Sequence, residues 1–221
     1  MKTFLNFLKH NRLYTAINLV GLALSMAFIL LLAVYVQKQL NTDSFQEKAD
    51  RIILVANEFY ASAYHLQDYL IERYPEIEST TGFLTENNVE LKLREETLYS
   101  SVNFADSTFF DIFSFKVIEG DKESFRHSRN NIVVSKSFAS KYFGSEDAIG
   151  KTLTMSRFDD QLTITAVMED IDNSVIPYCD ILMRGEWMEM RNDSHNKHLG
   201  NSGTVQTFVL VKENADLMVK E

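Results

Sequence analysis

The sequence predicts an α+β domain preceded by one membrane-spanning helix that continues into a stalk. Residues 13–36 contain no charged side chain, and after residue 52 short β-like runs alternate irregularly with amphipathic helical segments. That irregular order is typical of a mixed α+β fold. All 31 acidic residues follow position 36, so the apolar segment is distinct from an acidic domain. We therefore expect a basic segment at 1–12, a span at 13–36, a stalk at 37–51 and an outer domain at 52–221.

The overall composition excludes several classes of protein. Hydrophobic residues make up 45% of the chain and charged residues 24%, which is ordinary for a folded domain and unlike a disordered or collagen-like chain. The formal net charge of -9 argues against nucleic acid as a partner, because such binding depends on Lys and Arg neutralising phosphates. The single cysteine, Cys179, has no second cysteine with which to form an internal disulfide.

The apolar run at residues 13–36 is long enough to cross a bilayer. As a helix it would extend about 36 Å, compared with a hydrocarbon core of about 30 Å. A cleaved signal peptide has a shorter apolar region and a cleavage site of small residues, whereas Val34, Tyr35 and Val36 are bulky. A buried helix of a soluble protein is the other alternative. The length favours an uncleaved transmembrane anchor over both.

Basic residues on one side of the span predict its orientation. Lys2, Lys9 and Arg12 precede the span with no acidic residue among them, whereas Lys38 after it is followed by Asp43. Because Lys and Arg are retained on the cytoplasmic side, we expect the N-terminus in the cytoplasm and the outer domain outside. Residues 1–12 also alternate apolar and basic residues, which suggests an amphipathic segment on the inner membrane face.

Small residues within the span are candidates for packing against a second helix. Gly21 and Ser25 form one pair spaced by four residues, and Ala23 and Ala27 form another. Such pairs let two helices approach closely, although they also arise by chance in apolar segments. Asn18 precedes Gly21 by about one turn, and its amide favours a protein neighbour over lipid. We expect a partner helix in this region.

The outer domain opens with a strand followed by a helix. The strand is predicted at 52–59, and an amphipathic helix at 61–74 ends before Pro75. Asp106 and Ser107 are predicted to cap a short helix rich in Phe. Gly144 is predicted to close a helix at 137–143, and a last helix is expected at 186–190. Further strands are predicted at 76–84, 89–93, 97–104, 131–135, 152–155, 161–168 and 205–211.

No candidate motif for catalysis or cofactor binding has the residue spacing and charge that its chemistry needs. Residues 144–152 resemble a phosphate-binding loop, but five residues separate the glycines instead of four, and Glu146 and Asp147 would repel phosphate. A turn between a helix and a strand explains this segment better. His195 and His198 beside Asp193 could form a metal site, yet a polar loop is the simpler interpretation. No nucleophile motif is present, so we expect neither an enzyme nor a cofactor.

The chain resembles the N-terminal part of a MacB-like, FtsX-related permease subunit of an ABC transporter. The similar segments occur in order over nearly the whole chain, and Asn173 and Ser174 after Asp170 also fit the pattern. The segments are FLKHN at 7–11, INLVGLAL at 17–24, YVQ at 35–37, DSF at 43–45, ADRI at 49–52, FFDIFSF at 109–115, EGD at 119–121, VVSKSFA at 133–139, KYFG at 141–144 and IGKTL at 149–153.

This resemblance implies a non-catalytic permease that works with a cytoplasmic ABC-type ATPase, fused or separate, in a homodimer or with a related permease. It implies a bacterial inner membrane, a periplasmic core domain at 52–221 and a chain that stops before a second span. Such permeases transmit ATP-driven motion to export or extract peptides, drugs or lipoproteins. The alternative is a single-span sensor or adaptor with an extracytoplasmic binding domain. About 12 residues before the span are few for an inner signalling domain.

Overall fold

The computed structural model describes residues 12–56, 62–63, 65–157, 159–189 and 205–215. The chain divides into two compact units, of which the first ends at Ser44 and the second begins at Phe45. The first unit contains one long helix, and the second contains the mixed α+β domain. In chain order, the elements are α1 (Arg12–Leu40), β1 (Ile52–Val55), α2 (Leu66–Arg73), β2 (Ile77–Leu93), β3 (Glu96–Ala105), α3 (Phe109–Ile112), β4 (Val117–Gly120), α4 (Ser124–His127), β5 (Asn131–Ser135), α5 (Lys136–Phe143), β6 (Thr152–Met155), β7 (Asp160–Met168), β8 (Ile181–Arg184), α6 (Glu186–Glu189) and β9 (Gln206–Val211).

Helix α1 contains the whole predicted span and ends at Leu40. The predicted helical stalk therefore differs from the structure beyond Leu40, where residues 41–45 form turns and Ala49–Arg51 a short 3₁₀ helix. The cause is local, because Asn, Thr, Asp and Ser side chains compete with the helix for backbone hydrogen bonds. Asp43 adopts a positive φ of 56°, which a helix does not contain.

The described strands form one sheet in the order β1-β9-β2-β3-β8-β5-β7-β4. Strand β6 pairs antiparallel with β2 and with β7. These two pairings close β2, β3, β8, β5, β7 and β6 into a six-stranded ring. Strand β2 is long enough to serve two partners: its first half pairs with β9 and its second half with β6. Strands β1 and β9 thus extend the sheet beyond the ring.

Two hydrophobic clusters pack on opposite faces of the central strands. The first takes residues from all six ring strands and from α5, and includes Ile132 and Val134. The second includes Val133 from the same strand together with the phenylalanines of the 109–115 segment. Because successive residues of a strand point to opposite faces, β5 is buried on both sides. This double burial explains its uninterrupted apolar sequence.

Several predicted elements are confirmed and others differ. Strands β5 and β6 have the predicted bounds, and α5 ends at Gly144, whose φ is 61°. The two strands predicted at 76–84 and 89–93 are one strand, β2, with a bulge between Glu86 and Val89. Asn88 adopts φ 59° there, which lets the strand continue past the polar pair. Strands β4 and β8 and helix α4 were not predicted, because four-residue elements carry little periodic signal.

Candidate functional site

Helix α1 presents an apolar surface along its whole length. It is the one helix of the described residues that is long and apolar enough to cross a membrane, and none of its residues is buried. Large side chains such as Phe28 and Leu31 are 73% and 69% exposed. Monomeric soluble proteins rarely expose an apolar patch of this extent, so the helix is suited to lipid or to a second helix.

The candidate packing residues lie on two faces of this helix. Successive residues of an α-helix are about 100° apart, so Asn18, Gly21 and Ser25 share one face. Ala23 and Ala27 lie on the opposite face. A Cβ atom at Gly21 would meet nothing within 4 Å, as expected on a helix with no buried residue. The Ser25 hydroxyl donates to the Gly21 carbonyl at 2.9 Å, so this serine satisfies its donor within its own helix.

The segment after the helix is fastened to the α+β domain by three hydrogen bonds. Gln46 is only 6% exposed, and its Oε1 accepts the backbone N–H of Ser114 at 2.6 Å. The backbone N–H of Glu47 donates to the Ser114 Oγ at 3.2 Å. Lys48 Nζ donates to the carbonyl oxygen of Asp111 at 2.7 Å. Two of these bonds reach Ser114 in the turn between α3 and β4, and the third reaches Asp111 within α3. Sequence reasoning did not single out these residues.

Aromatic and ionic contacts extend this attachment on either side. The ring of Phe45 lies 5.4 Å from that of Phe115, measured between centroids. Arg51 Nη1 donates to Glu78 Oε2 at 2.8 Å and to the carbonyl oxygen of Val211 at 3.0 Å. The Arg51 side chain is 18% exposed. Residues 45–51 therefore contact the α3–β4 turn, β2 and β9.

A cavity of about 370 Å³ lies at one end of the ring. Phe104, Met155 and Trp187 supply apolar lining, and Glu86 and Arg157 are among the polar lining residues. Mouths of β-barrels are common ligand sites. Among the described lining residues there is no cysteine or histidine and no pair of groups suited to nucleophilic catalysis. The volume of the cavity is within the range of small-molecule sites.

Burial shifts the pKa values of two neighbouring groups in the described part of the chain, Tyr178 and Cys179. Burial raises the pKa of the Cys179 thiol well above its usual range, which keeps the thiol protonated and unreactive. Burial is also the main cause that raises the pKa of Tyr178, whose hydroxyl donates to Asp180 Oδ1 at 2.9 Å. Within the described parts of the chain, no group of three metal-ligating side chains is found. His195 and His198 lie outside the described residues.

The loop that resembles a phosphate-binding motif is a turn, as predicted. It leads from α5 at Gly144 to β6 at Thr152, with no helix after it. Glu146 Oε2 lies 3.4 Å from Arg94 Nη2 and 3.4 Å from Lys151 Nζ, so the lysine of the motif is paired with an acidic side chain. A phosphate-binding loop instead precedes a helix whose N–H groups face the phosphate.

The phenylalanine-rich segment at 109–115 belongs to the second hydrophobic cluster. Phe109, Phe113 and Phe115 are each at most 8% exposed. The rings of Phe109 and Phe113 are 5.0 Å apart, and that of Phe113 is 5.2 Å from Phe208 on β9. Ring pairs at these distances stabilise a core beyond the effect of burial alone.

Helix α1 is long and apolar enough to anchor the chain in a membrane, and the α+β domain follows it in the sequence. Residues 15–218 match the MacB-like periplasmic core domain, and the chain belongs to this family. Members are parts of ABC-type transporter permeases, generally non-catalytic, that work with ABC ATPase partners and dimerise. Comparison with curated protein sequences gives no significant match.

Solved structures share the fold. A domain of a protein described as a permease from Porphyromonas gingivalis superposes with a TM-score of 0.65 at 21% identity, covering 77% of each chain. The periplasmic region of MacB from Actinobacillus actinomycetemcomitans gives 0.53 at 15% identity, covering 75% of this chain and 76% of that one. The extracellular domain of the noncanonic ABC-type transporter YknZ from Gram-positive bacteria gives 0.50 at 12% identity, covering 74% and 83%.

Proposed function

We propose that the chain is the membrane subunit of an ABC transporter that couples ATP hydrolysis by a cytoplasmic partner ATPase to motion of its outer domain. That motion exports or extracts a substrate such as a peptide, a drug or a lipoprotein. The observation that carries the proposal is the family match, which includes helix and domain in one continuous range, 15–218. The exposed apolar surface of α1 supports a role in the membrane.

The proposed topology follows the charges around the helix. Residues 1–12 lie on the cytoplasmic side of the bacterial inner membrane, residues 13–36 cross it, and the segment 37–51 leads to a periplasmic domain at 52–221. Lys2, Lys9 and Arg12 support this orientation because they are basic residues before the span. A cytoplasmic N-terminus also places this end of the chain on the side where ATP is available.

The experiment that tests the function is purification of the full-length gene product from detergent-solubilised membranes. We expect an ABC-type ATPase to co-purify and its rate of ATP hydrolysis to change when the permease is bound. A product that purifies alone as a single-span protein, with no associated ATPase, would contradict the proposal. That result would favour the sensor or adaptor, whose outer domain binds a ligand and signals through another protein.

We further propose that two copies pack through the face that carries Asn18, Gly21 and Ser25. Its support is the small residues Gly21 and Ser25, four positions apart, and the amide of Asn18 on the same side of the helix. In a Cys179→Ala chain, Ser25→Cys should form an intermolecular disulfide in membranes. Ala27→Cys, on the opposite face, is the matched control and should not. Equal cross-linking of both variants would refute this choice of face.

A further inference from the structure

Strand β1 is an apolar strand at one end of the sheet. Its four residues, Ile52–Val55, include no charged side chain and no proline, and within the described sheet they pair on one side only, with β9. An edge strand carries unpaired backbone N–H and C=O groups on its other side, and these can pair with another chain. We call that side of β1 its free edge. Leu54 is the most exposed of the four residues, at 37%, so the domain does not enclose the strand.

The strand at the other end of the sheet shows how this domain protects an edge. Strand β4 pairs only with β7 in the described sheet, and its pairing shifts register between Val117 and Glu119. Lys116 precedes the strand, Glu119 lies within it and Asp121 follows it. Charged side chains and bulges of this kind hinder the pairing of an edge strand with another chain. Strand β1 has neither device, since it carries no charge and its register with β9 is unbroken.

Contacts at the start of β1 hold the strand in place. Arg51, just before it, donates from Nη1 to Glu78 Oε2 at 2.8 Å and to the carbonyl oxygen of Val211 at 3.0 Å. The side chain of Ile52 packs against the second hydrophobic cluster. A binding surface that is already ordered loses little conformational entropy on association. The free edge is therefore prepared to receive one more strand.

A second copy of this chain is the occupant that these observations favour. Members of the family dimerise, and two identical strands can pair antiparallel about a twofold axis, so that each copy offers the same surface to the other. Because β1 carries no charge, its copy adds no repulsion between like charges. In a regular antiparallel ladder, such an axis passes between two directly opposed residues. The longest overlap of the two strands then places either Ile53 or Leu54 opposite its own counterpart.

The link to the membrane helix makes so short a pairing effective. Residues 41–51 connect α1 to β1, so two copies that associate in the membrane keep their β1 strands within reach of each other. Pairing over four residues is weak in free solution, but tethering raises the effective concentration of two partners to about the millimolar range. We infer that the β1 strands of two copies pair antiparallel along their free edges and join the sheets of two outer domains. The pairing needs two copies in one membrane but no ATP hydrolysis, so it goes beyond the proposed function.

The test is disulfide formation between copies of the full-length protein in cell membranes. Ile53→Cys and Leu54→Cys are made separately in a Cys179→Ala chain, and Ile118→Cys on β4 is the matched control. Ile118 is 36% exposed, against 37% for Leu54, and it also lies on an edge strand of the described sheet. A mild oxidant is added and the disulfide-linked dimer is followed over time. Fluorescence of Trp187 shows whether each variant is folded.

We expect at least one of the two β1 variants to form the dimer about tenfold faster than Ile118→Cys, because tethering and pairing hold the two thiols together. Equal rates in all three variants would overturn the pairing, whether or not Ser25→Cys links the copies through α1, and would leave the proposed function standing. A disulfide from β1 to a different protein would also overturn self-pairing, and would assign the free edge to that protein.

Discussion

Replacing Gly120 with alanine tests the backbone geometry at the end of β4. Gly120 has a φ of +79°, and a Cβ atom built there would lie 2.2 Å from the carbonyl oxygen of Thr165 and 2.9 Å from the Cα of Ala166. Both atoms belong to the backbone of β7, so they cannot rotate away as a side chain could. Alanine at this position must push β4 away from its only described partner strand.

Gly150 is the matched control for this substitution. Its φ is also +79°, but a Cβ atom there would meet nothing within 4 Å. Gly150→Ala should therefore cost only the strain of a positive φ, about 1–2 kcal/mol. Gly120→Ala carries the same strain and should also disturb the Asp121 N–H bond to the Thr165 carbonyl oxygen and the neighbouring strand pairing, about 2 kcal/mol more.

Thermal unfolding of the full chain in detergent measures the difference. Trp187 is the only tryptophan and is 1% exposed, so its fluorescence reports on the domain. A loss of 1 kcal/mol lowers Tm by about 2–4 °C in a chain of this length. Gly120→Ala should therefore unfold about 4–8 °C below Gly150→Ala. Equal Tm values for the two variants would refute the argument from the backbone contact.

Two other substitutions test the cap of α5 and the buried thiol. Ser135→Ala removes the hydroxyl that accepts the Phe138 N–H at 3.1 Å and should lower the free energy of unfolding in urea by about 1 kcal/mol. The control Ser140→Ala, on the exposed side of the same helix, should lower it by less than about 0.5 kcal/mol. Similar losses in the two variants would contradict the assignment of Ser135 as the cap. Because burial raises the pKa of Cys179 in the folded chain, the thiol ionises first in the unfolded chain as the pH rises. Above a pH of about 8.5, the free energy of unfolding of the wild type should therefore fall relative to that of Cys179→Ala, by up to about 1.4 kcal/mol per pH unit. A stability difference between these two chains that is constant from pH 7.5 to 10.5 would contradict this assignment.

Elements with a strong local pattern could be predicted from the sequence. The uncharged run at 13–36 lies within α1, and the helix predicted at 137–143 is α5, which begins one residue earlier and is followed by Gly144 as predicted. Strand β8 was missed because its four residues are buried on both faces, so they show no alternation. The closure of the ring by β6 depends on pairings with strands distant in sequence, and no local pattern encodes such contacts.

The functional surfaces were predictable to different extents. The helical period alone assigns Gly21 and Ser25 to one face and Ala23 to another, because only the spacing matters. The contacts of Gln46 and Lys48 with residues 111–114 could not be foreseen, since both are polar residues in a turn-rich segment. Their role depends on Ser114, which is 68 positions from Gln46 in the sequence. Tertiary contacts of this kind give ordinary polar residues a structural role.

Determining on which side of the membrane the α+β domain lies tests the central claim most directly. Motion has to be transmitted across the bilayer only if the domain and the ATPase lie on opposite sides of it. Glu95, in the exposed turn between β2 and β3, can be changed to cysteine in a Cys179→Ala chain. In cells whose outer membrane has been permeabilised, a maleimide that cannot cross the inner membrane should label this cysteine fully. Labelling only after the inner membrane is disrupted would place the domain in the cytoplasm and contradict the account.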